Sequence, residues 1–273
     1  YPGMILFFRL GDFYEMFFDD AKLVSRELEL TLTGKSCGME ERAPMCGVPF
    51  HSAETYINRL IEKGYKVAIC EQMEDPATAK GLVKRDVIRV VTPGTGIEQS
   101  MLDERRNNYL LSVCMEGERA GLAFADVSTG EFYLYEIEKA TGRMQDEIVR
   151  IMPREIISNA NLPEHATALH VYVQDSVRFQ YARAKAALLE HFKVQSLDTF
   201  GVSGLKLGIR AAGALMKYLE ENFLLYNFLP LLQCFHFASM FYLFCTVKSF
   251  SIIIMSCTFS VFWFLYDKLR SMI

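Results

Sequence analysis

No two of the seven cysteines, at 37, 46, 70, 114, 234, 245 and 257, form a CxxC pair or a zinc-type spacing. The five histidines, at 51, 165, 170, 191 and 236, make no metal spacing either. A structural metal centre is therefore not expected, and the cysteines read as isolated reduced thiols. No GxxxxGK[ST] occurs. The nearest glycine groups, Gly94-Thr95-Gly96 and Gly201 to Gly208, lack the Lys-Ser/Thr ending, so no phosphate-binding loop and no ATPase chemistry is expected in this chain. No signal peptide opens it, and the expected location is cytoplasmic. An excess of positive charge is also missing. The formal net charge is −4, and removing the four charged residues after position 222 leaves 26 basic against 32 acidic. A strongly basic nucleic-acid binder is not what this balance describes, so any contact with nucleic acid must be local.

What is present divides the 273 residues into three parts and a linker. Residues 1–93 alternate strand and helix patterns and predict a small mixed α/β domain. Its expected elements are a buried strand at MILFF, a helix from Asp12 to Glu27, and a short strand at Glu29–Leu32. A polar loop from Gly34 to Ala43 follows. A second helix is expected to be capped by Ser52 and closed by Gly64, with Ala53, Tyr56, Ile57, Leu60 and Ile61 on one face. Strands at Lys66–Glu71 and Val87–Thr92 complete it. Residues 94–107 are a polar, charged linker. Residues 108–222 open with three strands, Tyr109–Met115, Gly121–Asp126 and Glu131–Glu136, turning at Gly117 and at Ser128-Thr129-Gly130. Helices are expected at Gly142–Met152, near Arg178–Phe192 and at Leu205–Asn222. Residues 223–273 carry only Lys248, Asp267, Lys268 and Arg270 as charges.

The stretch RLGDFYEMF, Arg9 to Phe17, concentrates unusual chemistry. Gly11-Asp12 delivers two aromatics, Phe13 and Tyr14, and then a carboxylate, Glu15. Apolar residues at Tyr14, Phe17, Phe18, Ala21, Val24 and Leu28 follow a helical period, so Asp12 is read as a helix cap and Phe13 as a first-turn residue. A ring there can leave the fold, although a core role for Phe13 is the commoner fate of such a residue. Glu15 in a first turn would complement the helix dipole. Tyr14 is expected to face the core. Lys80, Lys84, Arg85 and Arg89 form a local basic run; such runs are usually a solvated face, and phosphate contact is the alternative.

Three blocks add a family. GDFYEMFFDDA, ERAPMCGVPFH and VAICEQMEDPATAKGLVKRDVIRVVTPGT, in this order, resemble the N-terminal mismatch-recognition domain of the MutS family of DNA mismatch repair proteins. LAFADVSTGEFYLYE and FGVSGLKLGIRAAGALMKYLEE resemble the connector domain of that family, an RNase H-like α/β fold. The resemblance runs from the first residue to about Glu221, and it implies a segment preceding Tyr1. It implies recognition of mispaired or unpaired bases in duplex DNA. Phe13 matches the family's aromatic wedge and Glu15 its base-contacting carboxylate. A wedge reads deformability: unstacking is easier at a mispair. A carboxylate near phosphates weakens binding to ordinary duplex, and once protonated it can bond a displaced base edge. The resemblance also implies that ATP and magnesium, a MutS-type dimer partner and a MutL-type repair partner belong to the intact protein.

Two other functions stay open on the residues. Asp126 ends a strand where RNase H-like nucleases carry a metal-binding carboxylate, with Glu131 starting the next strand. Two-metal catalysis needs several converging carboxylates; Glu155, Asp175 and Asp198 are scattered, so Asp126 is read as a turn cap leading into Ser128-Thr129-Gly130. The tail holds charge-free runs of 25 and 18 residues, long enough by themselves to span a bilayer. A membrane-anchored binding module follows from that reading. Against it, only Lys248 separates the runs, flanking basic clusters are lacking and the family pattern stops. The tail is read as a shifted or non-coding frame after about residue 222, with no membrane partner expected.

Overall fold

The computed structural model describes residues 1–38, 41–74, 81, 83–96, 107–162 and 170–223. The described residues fall into two compact units, the first made of residues 1–96 together with 220–223 and the second of residues 107–219. The tail beyond residue 223, which carries the frame-shift and membrane-anchor readings, lies outside the described residues. No helix among the described residues is long and apolar enough to cross a membrane.

The first unit is a six-stranded mixed sheet with two helices. Its strands are β1 (Ile5–Leu10), β2 (Phe13–Phe17), β3 (Thr33–Lys35), β4 (Ala43–Pro49), β5 (Val67–Gln72) and β6 (Arg85–Val91), in the order β3-β4-β2-β1-β5-β6. Only the β1–β5 pair is parallel. Helices α1 (Phe18–Leu28) and α2 (Ala53–Glu62) cover one face. Their buried residues, Ala21, Val24 and Leu28 with Ala53, Ile57, Leu60 and Ile61, meet Ile5, Phe7, Tyr14, Met16, Cys46, Val48 and Val67 in one core. Gly64 closes α2 as expected: it takes a positive φ of 86°, its N–H reaches the carbonyl of Ile61, and the N–H of Tyr65 reaches Leu60.

Four expectations in this unit are corrected. The chain does not enter a helix at Asp12. Gly11 and Asp12 are the two-residue turn of a hairpin in which Leu10 pairs with Phe13, and positive φ at Gly11 alone has the sign pattern of a type II′ turn. The helix begins five residues after Phe13, once Phe18 has taken a φ of +52° to turn the chain out of the strand. Glu29–Leu32 is not a strand, because Glu29 closes α1 in a left-handed conformation. The loop expected to start at Gly34 starts later, since Gly34 pairs with Pro44 inside β3–β4. Ser52 stands at the start of α2 without capping it by side chain: its hydroxyl donates to the carbonyl of Pro49, 3.2 Å away, within a 3-10 turn over Phe50–Ser52.

The second unit contains the expected meander, β7 (Tyr109–Glu116), β8 (Arg119–Asp126) and β9 (Glu131–Glu138), all antiparallel. Two strands, β10 (Glu155–Ser158) and β11 (His170–Val173), extend it in parallel from the β7 side, giving the order β11-β10-β7-β8-β9. This mixed α/β arrangement agrees with the RNase H-like fold class read from the sequence. Helix α3 (Ala140–Ile151) packs Met144, Ile148 and Ile151 on Leu111, Val113, Leu122, Phe124 and Tyr135. Helices α4 (Tyr181–Phe192) and α5 (Lys206–Asn222) follow. β8 is buried almost end to end, as a strand covered on both faces must be. Gly121 makes the close approach of α5 possible: a Cβ there would lie 2.0 Å from the carbonyl carbon of Leu207.

Candidate nucleic-acid interface

Strand geometry decides what Phe13 and Glu15 can do together. In a helix, residues two apart do not share a face. In a strand they do, about 7 Å apart along the chain. The alternation along β2 is plain: Tyr14 and Met16 are buried under the helices, and Phe13, Glu15 and Phe17 point from the other face. Phe13 is 47% exposed at the start of the strand, beside the turn. Pro49 lies opposite it on β4, and the N–H of Phe50 donates to the carbonyl of Asp12 at 2.9 Å. The ring is thus carried by a hairpin tip that is anchored on both sides.

Glu15 lies opposite Gly47 on β4 and Phe8 on β1. A Cβ on Gly47 would sit 3.2 Å from the carbonyl oxygen of Tyr14 and 3.6 Å from Cγ of Glu15, so glycine lets the strand pass close to the carboxylate. Oε2 of Glu15 is held by Nζ of Lys35, 2.5 Å away on β3. The Lys35 side chain is 39% exposed and that of Glu15 only 15%. The ammonium also lies 5.7 Å from the ring centre of Phe17.

The inner side of the hairpin is fixed by polar contacts. The Tyr14 hydroxyl donates to Oε1 of Glu71, and burial, followed by this bond and the Glu71 charge, makes Tyr14 harder to ionise. Arg9 reaches the same carboxylate at 3.6 Å and lays its guanidinium 3.7 Å from the centre of the Phe50 ring. Arg9, Lys35 and Phe50 are site neighbours that sequence reasoning did not single out. Pairing β2 with β4 in antiparallel register would have pointed to Phe50, since Pro49 then faces Phe13.

The basic run is not one patch. Lys80 lies outside the described residues. Lys84 is exposed, and its main chain closes a turn through its carbonyl to Met73 and its N–H to Glu74. Arg85 donates to the carbonyls of Arg9 and Val83 and stacks 5.2 Å from the centre of the Phe8 ring. Arg89 donates to the carbonyl of Thr95 at 2.9 Å. A bulge in β6 sets Val87 opposite Cys70 and Arg89 opposite Ile69, so Arg85 and Arg89 leave the sheet on opposite faces.

In the second unit Asp126 is 1% exposed, and both its carboxylate oxygens are engaged. Oδ2 accepts the N–H of Asn108 at 2.7 Å, and Oδ1 accepts the N–H and hydroxyl of Ser128 at 2.9 and 2.6 Å. This is the turn-capping arrangement read from the sequence. Glu131 accepts the Tyr109 hydroxyl at 2.7 Å. Among the described residues no group of three or more His, Cys, Asp or Glu side chains is placed to hold a metal ion.

Two successive mixed-sheet α/β domains are the arrangement that the resemblance to the N-terminal part of mismatch repair proteins implies. Residues 1–100 match the family described as MutS domain I, and residues 108–231 match MutS domain II. The chain belongs to the MutS family. It is similar to the DNA mismatch repair protein MutS of Ruminiclostridium cellulolyticum, 53% identical over 233 residues, and to that of Halothermothrix orenii, 50% identical over 229 residues. The MutS of Lachnoclostridium phytofermentans is 49% identical over 231 residues. Each match covers 81% of this chain and 25 or 26% of the relative, so the chain spans about a quarter of the length of these proteins.

Proposed function

We propose that this chain detects mispaired or unpaired bases in duplex DNA as the N-terminal part of a mismatch repair protein. Phe13 is the wedge and Glu15 the carboxylate that meets the base edge. The observation that carries the reading is the shared strand face: an exposed ring and a carboxylate two residues apart point the same way from an anchored hairpin tip. Stacking one base on an aromatic ring is worth about 1–3 kcal/mol, and unstacking costs least where pairing is already weak. Lys84, Arg85 and Arg89, with Lys80, are left a secondary role in backbone contact, in which Arg85 and Arg89 cannot act from one face. The reading assigns no catalysis to these residues. ATP and magnesium, a dimer partner and a MutL-type partner are assigned to a complete MutS chain, and the compartment is cytoplasmic.

The test uses a complete MutS chain carrying this domain and compares matched with singly mispaired duplex at one salt concentration. Phe13→Ala is expected to lower mispair affinity by the stacking energy, about 1–3 kcal/mol, with little change in melting temperature. Glu15→Gln is expected to raise affinity for matched duplex and shrink the mispaired-to-matched ratio. A Phe13→Ala protein that binds mispairs normally but melts far earlier would overturn the site assignment, because a buried Phe→Ala costs about 3–5 kcal/mol of stability.

A further inference from the structure

We infer that Lys35 is a positioning residue that acts through Glu15 and sets how strongly the site discriminates mispaired from matched DNA. The inference rests on the reading above that Glu15 faces DNA. Lys35 belongs to a different strand from the wedge: its backbone pairs with Ala43 on β4, four residues along from Gly47, and its long side chain reaches Glu15 beside the ring of Phe17. In the free protein the ammonium holds the carboxylate at 2.5 Å. The pair presents little net charge to an approaching phosphate, so the repulsion that Glu15 would exert alone is muted. Of the two, Lys35 is the more exposed and has the longer, more flexible stem, so it is the member that can swing to a phosphate. A duplex that offers a base edge then gives the released carboxylate a new partner. A matched duplex offers none, and Glu15 would have to leave Lys35 without compensation. The salt bridge therefore gives the site a resting state in which the carboxylate is held, and a DNA-bound state reached only at a mispair.

Removing the ammonium should leave Glu15 charged and uncompensated. Matched duplex should then bind more weakly, and mispaired duplex should lose less because the base edge engages the carboxylate. In a complete MutS chain carrying this domain, Lys35→Met is expected to raise the mispaired-to-matched affinity ratio about two- to fivefold, the size of a partly exposed ion pair. Lys35→Arg, which keeps the charge, should hold the ratio within about twofold of the unmodified protein. In a Glu15→Gln background Lys35→Met should leave the ratio where Glu15→Gln alone puts it, since the group through which Lys35 acts is gone. Lys35→Gln serves as the second uncharged variant should Lys35→Met fail to fold. A ratio unchanged by both uncharged variants, while Glu15→Gln does change it, overturns the inference and leaves the wedge-and-carboxylate reading standing. An equal shift in both backgrounds also overturns it, because Lys35 would then touch phosphate without acting through Glu15. A Glu15→Gln protein with an unaltered ratio overturns the underlying reading and the inference together.

Discussion

At the scale of single residues, the buried side of the first unit is defined by groups that hold their protons. Tyr14 keeps its proton because ionising it would put a phenolate in an apolar core beside Glu71. Its folded value is raised, so the associated stability is complete below the ordinary tyrosine range near pH 10. Above it the unfolded phenol ionises while the folded one does not, and stability falls as pH rises. Tyr14→Phe is expected to cost about 1.5–3 kcal/mol near neutral pH, the loss of a hydrogen bond to a charged group. It should also remove part of the fall in melting temperature above pH about 10. Thermal melts of both proteins at two pH values check this. The thiols follow the same logic. Burial pushes Cys46 up to about 11 and Cys114 up to about 11, whereas Cys37 is exposed. Brief alkylation of the native chain at mildly alkaline pH, followed by peptide mapping, should label Cys37 while Cys46 and Cys114 stay unmodified until denaturant is added.

At the scale of elements, α5 packs directly against the backbone of β8 at Gly121. Glu136 on β9 accepts the N–H groups of Leu207 and Gly208 at 2.6 and 3.2 Å, so a strand residue caps the start of α5 just where Gly121 receives it. Gly121→Ala would push backbone against backbone and loosen this cap. A loss of about 1–3 kcal/mol is expected, the usual cost of overpacking, measured by denaturant unfolding. Gly142, whose Cβ would meet nothing within 4 Å, is the control position. The meander was legible because its strands meet at glycine turns, α3 because it keeps one apolar face, and α5 because a long run of good helix formers, buried almost all round, has no other reading. The β1–β2 hairpin was not read, although Gly11-Asp12 between two apolar runs is a hairpin signal. Tyr14, Phe17, Phe18 and Ala21 fit a helical period, while Tyr14 and Met16 fit a strand, and in so short a run the two periods overlap. Phe13 and Glu15 themselves came from the family resemblance. Lys35 could not have been found from spacing, because only the sheet order brings β3 within reach of β2.

At the scale of the whole molecule, the last described helix ends at Asn222, and residues 108–222 supply every element of the second sheet and its helices. A chain cut after residue 222 is expected to stay soluble and melt cooperatively, with circular dichroism and sedimentation as the readouts. An unfolded product, from a full chain that folds in detergent, would give the tail a structural role. The same truncated protein is expected to cleave neither single- nor double-stranded nucleic acid with magnesium or manganese. Cleavage abolished by Asp126→Asn would contradict this and favour the nuclease alternative. Up to position 222 the sequence carries 26 basic against 32 acidic residues, so the DNA contact proposed above is expected to be local.

The two-residue turn at Gly11-Asp12 has a consequence for how this domain can diverge. Alternation makes the facing of β2 a matter of odd and even. One residue inserted between Glu15 and Met16, with Met16 kept in the core, would swing Tyr14 outward and send Glu15 into the apolar core. Two residues would preserve the facing and only move the tip by one repeat of the ladder. Length variation in this hairpin should therefore be tolerated in pairs, and a library of one- and two-residue insertions selected for repair should retain the even class and lose the odd.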